Sequence, residues 1–239
     1  MTFYNGLDLG VFFKEPINEL LKSEMIEKNI WNKQCPVTMD RLTLLNLSYT
    51  DYDGNSNHEG KMLVFDVVAD KVLHIFQELY IRRFPIYSIK LINVFDGDDN
   101  NSMAANNTSS FNCRKIANTT TWSIHSYGMA IDINPLQNPM LDTEYLQGKK
   151  SIEVFPHEGM NYINRCNIRA GMVESIIDDS TGLTVIDLFR NNGFGVWGGA
   201  WNFPVDWHHF QVGAADVRKL AGMNFEEGTK YFECLIQKK

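Results

Sequence analysis

Two short segments far apart in the chain place the strongest constraint on its folding: Ser123-Ile124-His125-Ser126-Tyr127-Gly128-Met129-Ala130-Ile131-Asp132 and Asp206-Trp207-His208-His209-Phe210. Together they carry a His, an Asp and a second His, with another carboxylate to spare. Two imidazoles and one carboxylate fill three positions of a tetrahedral zinc ion and leave the fourth open, as catalytic zinc sites do. An ion so held polarises a carbonyl oxygen as a Lewis acid and activates water near neutral pH. The fold must therefore be able to bring the two segments together.

His125 and Asp132 do not have the spacing of a shared helical face, as His-Glu-x-x-His would. A loop entering a strand can unite them if Gly128 supplies a positive φ or a close backbone approach. In the second segment, Asp206 lies three residues before His209. The division of labour this suggests is that His125, Asp132 and His209 bind one zinc per chain. Asp206 then takes a proton from the attacking water and passes it to the leaving amine, work worth roughly 10² to 10⁴ in rate. Strict strand alternation would put His208, not His209, on the side of Asp206. On spacing alone either histidine can be the ligand.

With 239 residues, 44% apolar content and 12% aromatics, the chain can fill a substantial core. The net charge of −7, with no clustered Lys and Arg, argues against a nucleic-acid or anionic-membrane surface. No stretch has the roughly 20 apolar residues of a membrane span. The first residues lack the pattern of a secretory signal, so the chain is expected in the cytoplasm unless a leader has been removed. Cys35, Cys113, Cys166 and Cys234 show no Cys-x-x-Cys spacing. They are compatible with two disulfides or with free thiols, and spacing does not fix a connectivity.

Periodicity predicts helices over 14–30, 64–83 and 184–192, the second with the broadest apolar stripe. Strands are expected over Leu42–Tyr52, Ser88–Phe95, Met129–Ile133, Phe194–Trp201 and Trp207–Val212, with a long polar loop over 96–110. Helices mixed irregularly with short strands indicate an α+β fold. Asn118-Thr119-Thr120 is a glycosylation sequon only along a eukaryotic secretory route.

The quoted residues resemble a known family, the zinc D-alanyl-D-alanine carboxypeptidases and L-alanyl-D-glutamate endopeptidases of peptidase family M15. Its signature Ser-x-His-x-x-Gly-x-Ala-x-Asp is matched by Ser123, His125, Gly128, Ala130 and Asp132, and its acidic-x-x-His element by Asp206 to His209. Phe111-Asn112-Cys113-Arg114, Asn134-Pro135 and Trp197-Gly198-Gly199-Ala200-Trp201 extend the likeness. It covers residues 35–212, leaving 1–34 and 213–239 as terminal extensions.

The resemblance implies a Hedgehog/DD-peptidase-like fold with a small, mostly antiparallel sheet flanked by helices. It implies His125, Asp132 and His209 as zinc ligands, choosing His209 because the ligand directly precedes Phe, and Asp206 as the catalytic base. His208 stands where relatives usually have Met or Trp, and Asp206 where many have Glu. Arg114 matches the arginine that binds substrate and stabilises developing charge, a task suited to its planar fork. Ser123 is expected to contact substrate or orient a ligand, and Trp197 and Trp201 to wall a peptide site or fill the core.

The implied substrate is peptidoglycan or its peptide fragments, cut beside a D-amino acid at the cell wall or in the periplasm. The segments 96–110 and 140–183 are expected to shape the choice of bond. The competing reading is a non-catalytic zinc-containing binding or signalling module on the same fold, which would have no need of Asp206.

Overall fold

The computed structural model describes residues 3–4, 7–142 and 152–237. Its architecture is α+β, with the strands divided among several small sheets rather than gathered into one. The largest is an antiparallel meander of Phe12–Pro16, Leu42–Thr50 and Ser56–Phe65. Helix Ala69–Ile81 packs on it, burying Val72, Ile75, Phe76, Leu79 and Tyr80 at helical spacing. Arg83, at φ +56°, and Pro85 end that helix.

Two further three-stranded antiparallel sheets carry the sequence motifs. One orders Val196–Trp197, His209–Gln211 and Ala130–Asp132; the other orders Glu153–Phe155, Met140–Asp142 and Val205–Asp206. Ser88–Ile89 and Asn107–Thr108 pair in parallel. Helix Val185–Asn191 begins with a capping box between Thr184 and Asp187. Helices Ala214–Ala221 and Phe225–Gln237 follow the motif sheets.

One apolar core joins these pieces. It includes Leu45, Val64, Phe76, Ile131, Phe189 and Phe210, and also Ile17, Met25 and Ile30 from the N-terminal side and Val217, Leu220 and Phe232 from the C-terminal side. A disulfide between Cys35 and Cys113, with Cα atoms 5.9 Å apart, ties the N-terminal region to the motif region. Cys166 and Cys234 are free and exposed.

Five element expectations change. Of 194–201 only Val196–Trp197 is strand, and the Gly198-Gly199 pair continues it as a 3-10 turn over Gly198–Ala200. The pattern over 64–83 divides: Val64 and Phe65 end a strand, Asp66–Val68 form a 3-10 turn, and the α-helix starts at Ala69. Apolar residues buried on both faces of a strand end look like a helical stripe. Over 14–30, Phe12–Pro16 is an edge strand, where proline's missing N–H is tolerated. The helix there runs Glu19–Glu27, capped by the Asn18 side chain. Of 88–95 only Ser88–Ile89 is strand, followed by a 3-10 turn over Ile92–Phe95. The polar stretch 96–110 contains helix Asp99–Ala104, capped by Asp98 accepting from the Asn101 N–H, and the short strand Asn107–Thr108. Part of 140–183, namely 143–151, lies outside the described residues.

Gly128 lies where the meander meets the motif sheets. Its φ is +67°, its carbonyl accepts the Phe65 N–H at 2.9 Å, and a Cβ there would lie 2.7 Å from the Phe65 nitrogen. Both the left-handed conformation and the close approach exclude a side chain. Gly128→Ala should therefore destabilise the fold by about 1 to 3 kcal/mol, read as a lowered midpoint in chemical denaturation.

Candidate metal centre

His125 projects from a 3-10 turn, Ile124–Tyr127, capped by Ser123, whose Oγ accepts the His125 N–H at 3.3 Å. Gly128 closes the turn in a left-handed conformation and leads into Ala130–Asp132. Asp132 lies directly opposite His209 in the antiparallel register, so the two side chains share one sheet face. The extended segment before the turn holds the group from behind. Ser109 exchanges both main-chain hydrogen bonds with Asp132, and Asn112 donates its N–H to the His125 carbonyl at 3.2 Å.

The three side chains converge. His125 Nε2 is 3.2 Å from His209 Nδ1 and 3.2 Å from Asp132 Oδ2, while Asp132 Oδ1 is 3.1 Å from His209 Nδ1. All three residues are buried. The outward nitrogens face acceptors: His125 Nδ1 lies 2.7 Å from the Ser110 carbonyl and His209 Nε2 lies 2.8 Å from Gln211 Oε1. Donation to those acceptors fixes the tautomers and turns both inward nitrogens into lone-pair bearers. Two lone pairs and a carboxylate facing one another at this range repel unless a proton or a metal ion lies among them. The donor set is that of a transition-metal site, with the outer hydrogen bonds that orient such ligands, and its ligand atoms all lie within 4.8 Å of one another.

The electrostatics agree with that picture. Burial alone would raise the Asp132 carboxyl, but His125, His208 and His209 hold it well below the usual carboxylate range. Burial lowers His209, and the Asp132 carboxylate outweighs it and raises that imidazole.

Asp206 and His208 form a second buried pair beside the first. His208 Nδ1 lies 2.8 Å from the Asn138 carbonyl, and its Nε2 lies 3.0 Å from Asp206 Oδ1. Burial pulls His208 down, but Asp206 and Asp132 push it up to about 9. The Asp206 contact is an ion pair without hydrogen-bond alignment, and Oδ1 is left buried with no hydrogen-bond partner. His208 thus lies on the side of Asp206, as alternation requires, and His209 faces the metal group.

The remaining candidates are placed differently. Arg114 is anchored beside the His125 turn, its N–H donating to Ser126 Oγ at 2.9 Å and its carbonyl accepting from the Ser123 N–H at 3.1 Å. Its guanidinium pairs with Asp99. Trp201 tilts against the His209 ring, with centroids 5.3 Å apart. Trp197 turns into the core, stacking on Phe210 at 6.4 Å and donating Nε1–H to the Trp207 carbonyl. Gln211, the Ser110 carbonyl and Asp99 were not singled out in the sequence. Gln211 was accessible by alternation from His209, whereas Ser110 and Asp99 carry no local signal.

Residues 117–212 match the family model described as D-alanyl-D-alanine carboxypeptidase. The matched segment bears His125, Asp132, Asp206 and His209, and over that segment the chain is similar to the M15 peptidases. No curated protein and no solved structure matches the chain.

Gln211→Leu should remove the hydrogen bond that orients His209 and weaken divalent-metal binding by about 10- to 100-fold. Competition with a chromophoric chelator measures this, with thermal unfolding as a control for the fold.

Proposed function

We propose that this chain is a zinc peptidase of the Hedgehog/DD-peptidase fold, acting on peptidoglycan stem peptides at a bond beside a D-amino acid. The observation that carries the reading is the joint presence of a converging His-Asp-His group and, three residues before the last of its members, a buried carboxylate, Asp206, paired with His208. A tetrahedral ion with arms of about 2.0 to 2.1 Å has edges of about 3.3 to 3.4 Å, close to the 3.1 and 3.2 Å separations of the facing atoms. His125, Asp132 and His209 would hold it. When bound, zinc supplies Lewis acidity at a carbonyl oxygen and lowers the pKa of water to about 7.

The protein's own residues do the rest. Asp206 accepts a proton from the attacking water and returns it to the nitrogen of the leaving amine. A base serves this role when it is within hydrogen-bond reach and ionised, and His208 beside it keeps a positive neighbour on the carboxylate. Arg114 receives a substrate carboxylate or the oxygen that gains charge, where preorganised donors contribute most. Ser123 acts through the turn it caps, and Trp201 offers an aromatic wall next to His209. Both a D-alanyl-D-alanine carboxypeptidase and an L-alanyl-D-glutamate endopeptidase fit this machinery.

Action at the cell wall or in the periplasm suits the Cys35–Cys113 disulfide, since such bonds persist in oxidising compartments. No described helix is long and apolar enough to cross a membrane.

Purified peptidoglycan fragments digested with and without a chelator, with mass analysis of the products, test the reading. Chelator-sensitive release of D-alanine, or of fragments cut after L-alanine, is expected. Asp206→Ala should keep about one zinc per chain and lose hydrolysis, whereas His125→Ala should lose both. Full activity in Asp206→Ala would remove the proposed base. A zinc-loaded protein that binds fragments and cuts none would favour a binding module.

A further inference from the structure

We infer that Asp99 is a positioning residue for substrate recognition: it fixes the guanidinium of Arg114, whose main chain is bonded to the His125 turn, so that Arg114 can take up a carboxylate of the substrate. The inference rests on the role given to Arg114 above. It also assigns a purpose to the polar stretch that the sequence alone suggests is a loop.

Asp99 opens helix Asp99–Ala104, and its Oδ2 accepts from Arg114 Nη2 at 2.5 Å. Its other oxygen accepts a long hydrogen bond from Asn112 Nδ2 at 3.4 Å. Asn112 and Arg114 are alternate residues of one segment, so their side chains reach Asp99 from the same side. Cys113 between them is bonded to Cys35. The segment is thus gripped by an acid through Asn112 and Arg114 and by a covalent link through Cys113.

Its main chain is bonded to the His125 turn through Asn112, Arg114, Ser123 and Ser126. The Arg114 main chain therefore cannot shift without disturbing the turn that carries His125.

The pair itself is not a stability device. Both side chains are partly exposed, at 34% and 24%, and ion pairs of that kind contribute little to folding. What the contact does is remove rotational freedom from a long side chain before substrate arrives. Asp99 engages Nη2 of a side chain that stays 34% exposed, so the guanidinium is held by one end. A planar fork already in place loses less on binding a carboxylate bidentately than one that must be ordered first. Asp99 does not act as a removable stand-in for the substrate carboxylate, because Asn112 and the start of a capped helix hold it where it is.

Calorimetric titration of D-alanyl-D-alanine and its C-terminal amide into the zinc-loaded full chain tests this. Wild type, Asp99→Asn, Asp99→Glu, Arg114→Ala and the Asp99→Asn/Arg114→Ala double variant are compared, with zinc content and thermal unfolding measured for each. Asp99→Asn should bind the dipeptide about 3- to 10-fold more weakly, the cost of ordering one side chain, and the amide no differently. Asp99→Glu should recover part of the loss, and the double variant should be no weaker than Arg114→Ala alone. With a stem peptide ending in D-Ala-D-Ala, the loss should appear in KM rather than kcat.

Unchanged or tighter dipeptide binding in Asp99→Asn would overturn the inference, as would a wild type that does not prefer the acid to the amide. A wild type that shows the expected binding pattern yet hydrolyses nothing would defeat the peptidase reading and leave the positioning role standing.

Discussion

Two imidazole lone pairs held 3.2 Å apart, with a carboxylate between their approaches, are the constraint on which the rest of this structure depends. In a buried setting such an arrangement is repulsive without a proton or a metal ion, so the surrounding fold must supply the restraint. It does so with ordinary elements. A strand pair sets Asp132 opposite His209, a glycine-terminated turn brings His125 over them, and a carbonyl and a carboxamide fix the tautomers. The site's chemistry is therefore a property of backbone register as much as of residue identity.

The sheets without ligands make this register rigid. The meander and helix Ala69–Ile81 form a large part of the apolar core, and Gly128 is where that core touches the motif sheets through main-chain atoms. The terminal segments share the same core, with Met25 and Ile30 on one side and Leu220 and Phe232 on the other. Packing of this kind resists local change because interiors are dense and tolerate little displacement. Rigid scaffolds of this sort keep catalytic groups within the narrow tolerances that chemistry requires.

The convergence of His125, Asp132 and His209 was legible because residue types with a shared chemistry recur in two compact segments, and Gly128 marked the turn needed to unite His125 with Asp132. Alternation also foresaw His208 beside Asp206. Less was legible where burial, not composition, decides structure. The strand Ser56–Phe65 begins with exposed polar residues and ends apolar on both faces, which imitates a helix start. Helix Asp99–Ala104 is built from Asp, Asn and Ser, poor helix formers stabilised by a side-chain cap and by burial of Ser102 and Met103. The Ser110 carbonyl carries no signal, since every residue has one. The Cys35–Cys113 pairing required the fold, because four scattered cysteines allow three connectivities.

The two adjacent histidines serve different carboxylates, His209 facing Asp132 and His208 facing Asp206. A slip of a single residue would exchange them, because side chains alternate with period two. Insertions and deletions can accumulate in outlying loops of such a domain, but between Asp206 and Gln211 the residue count is locked. Gain or loss of one position there would turn the metal-facing imidazole away and leave Asp132 facing the wrong neighbour.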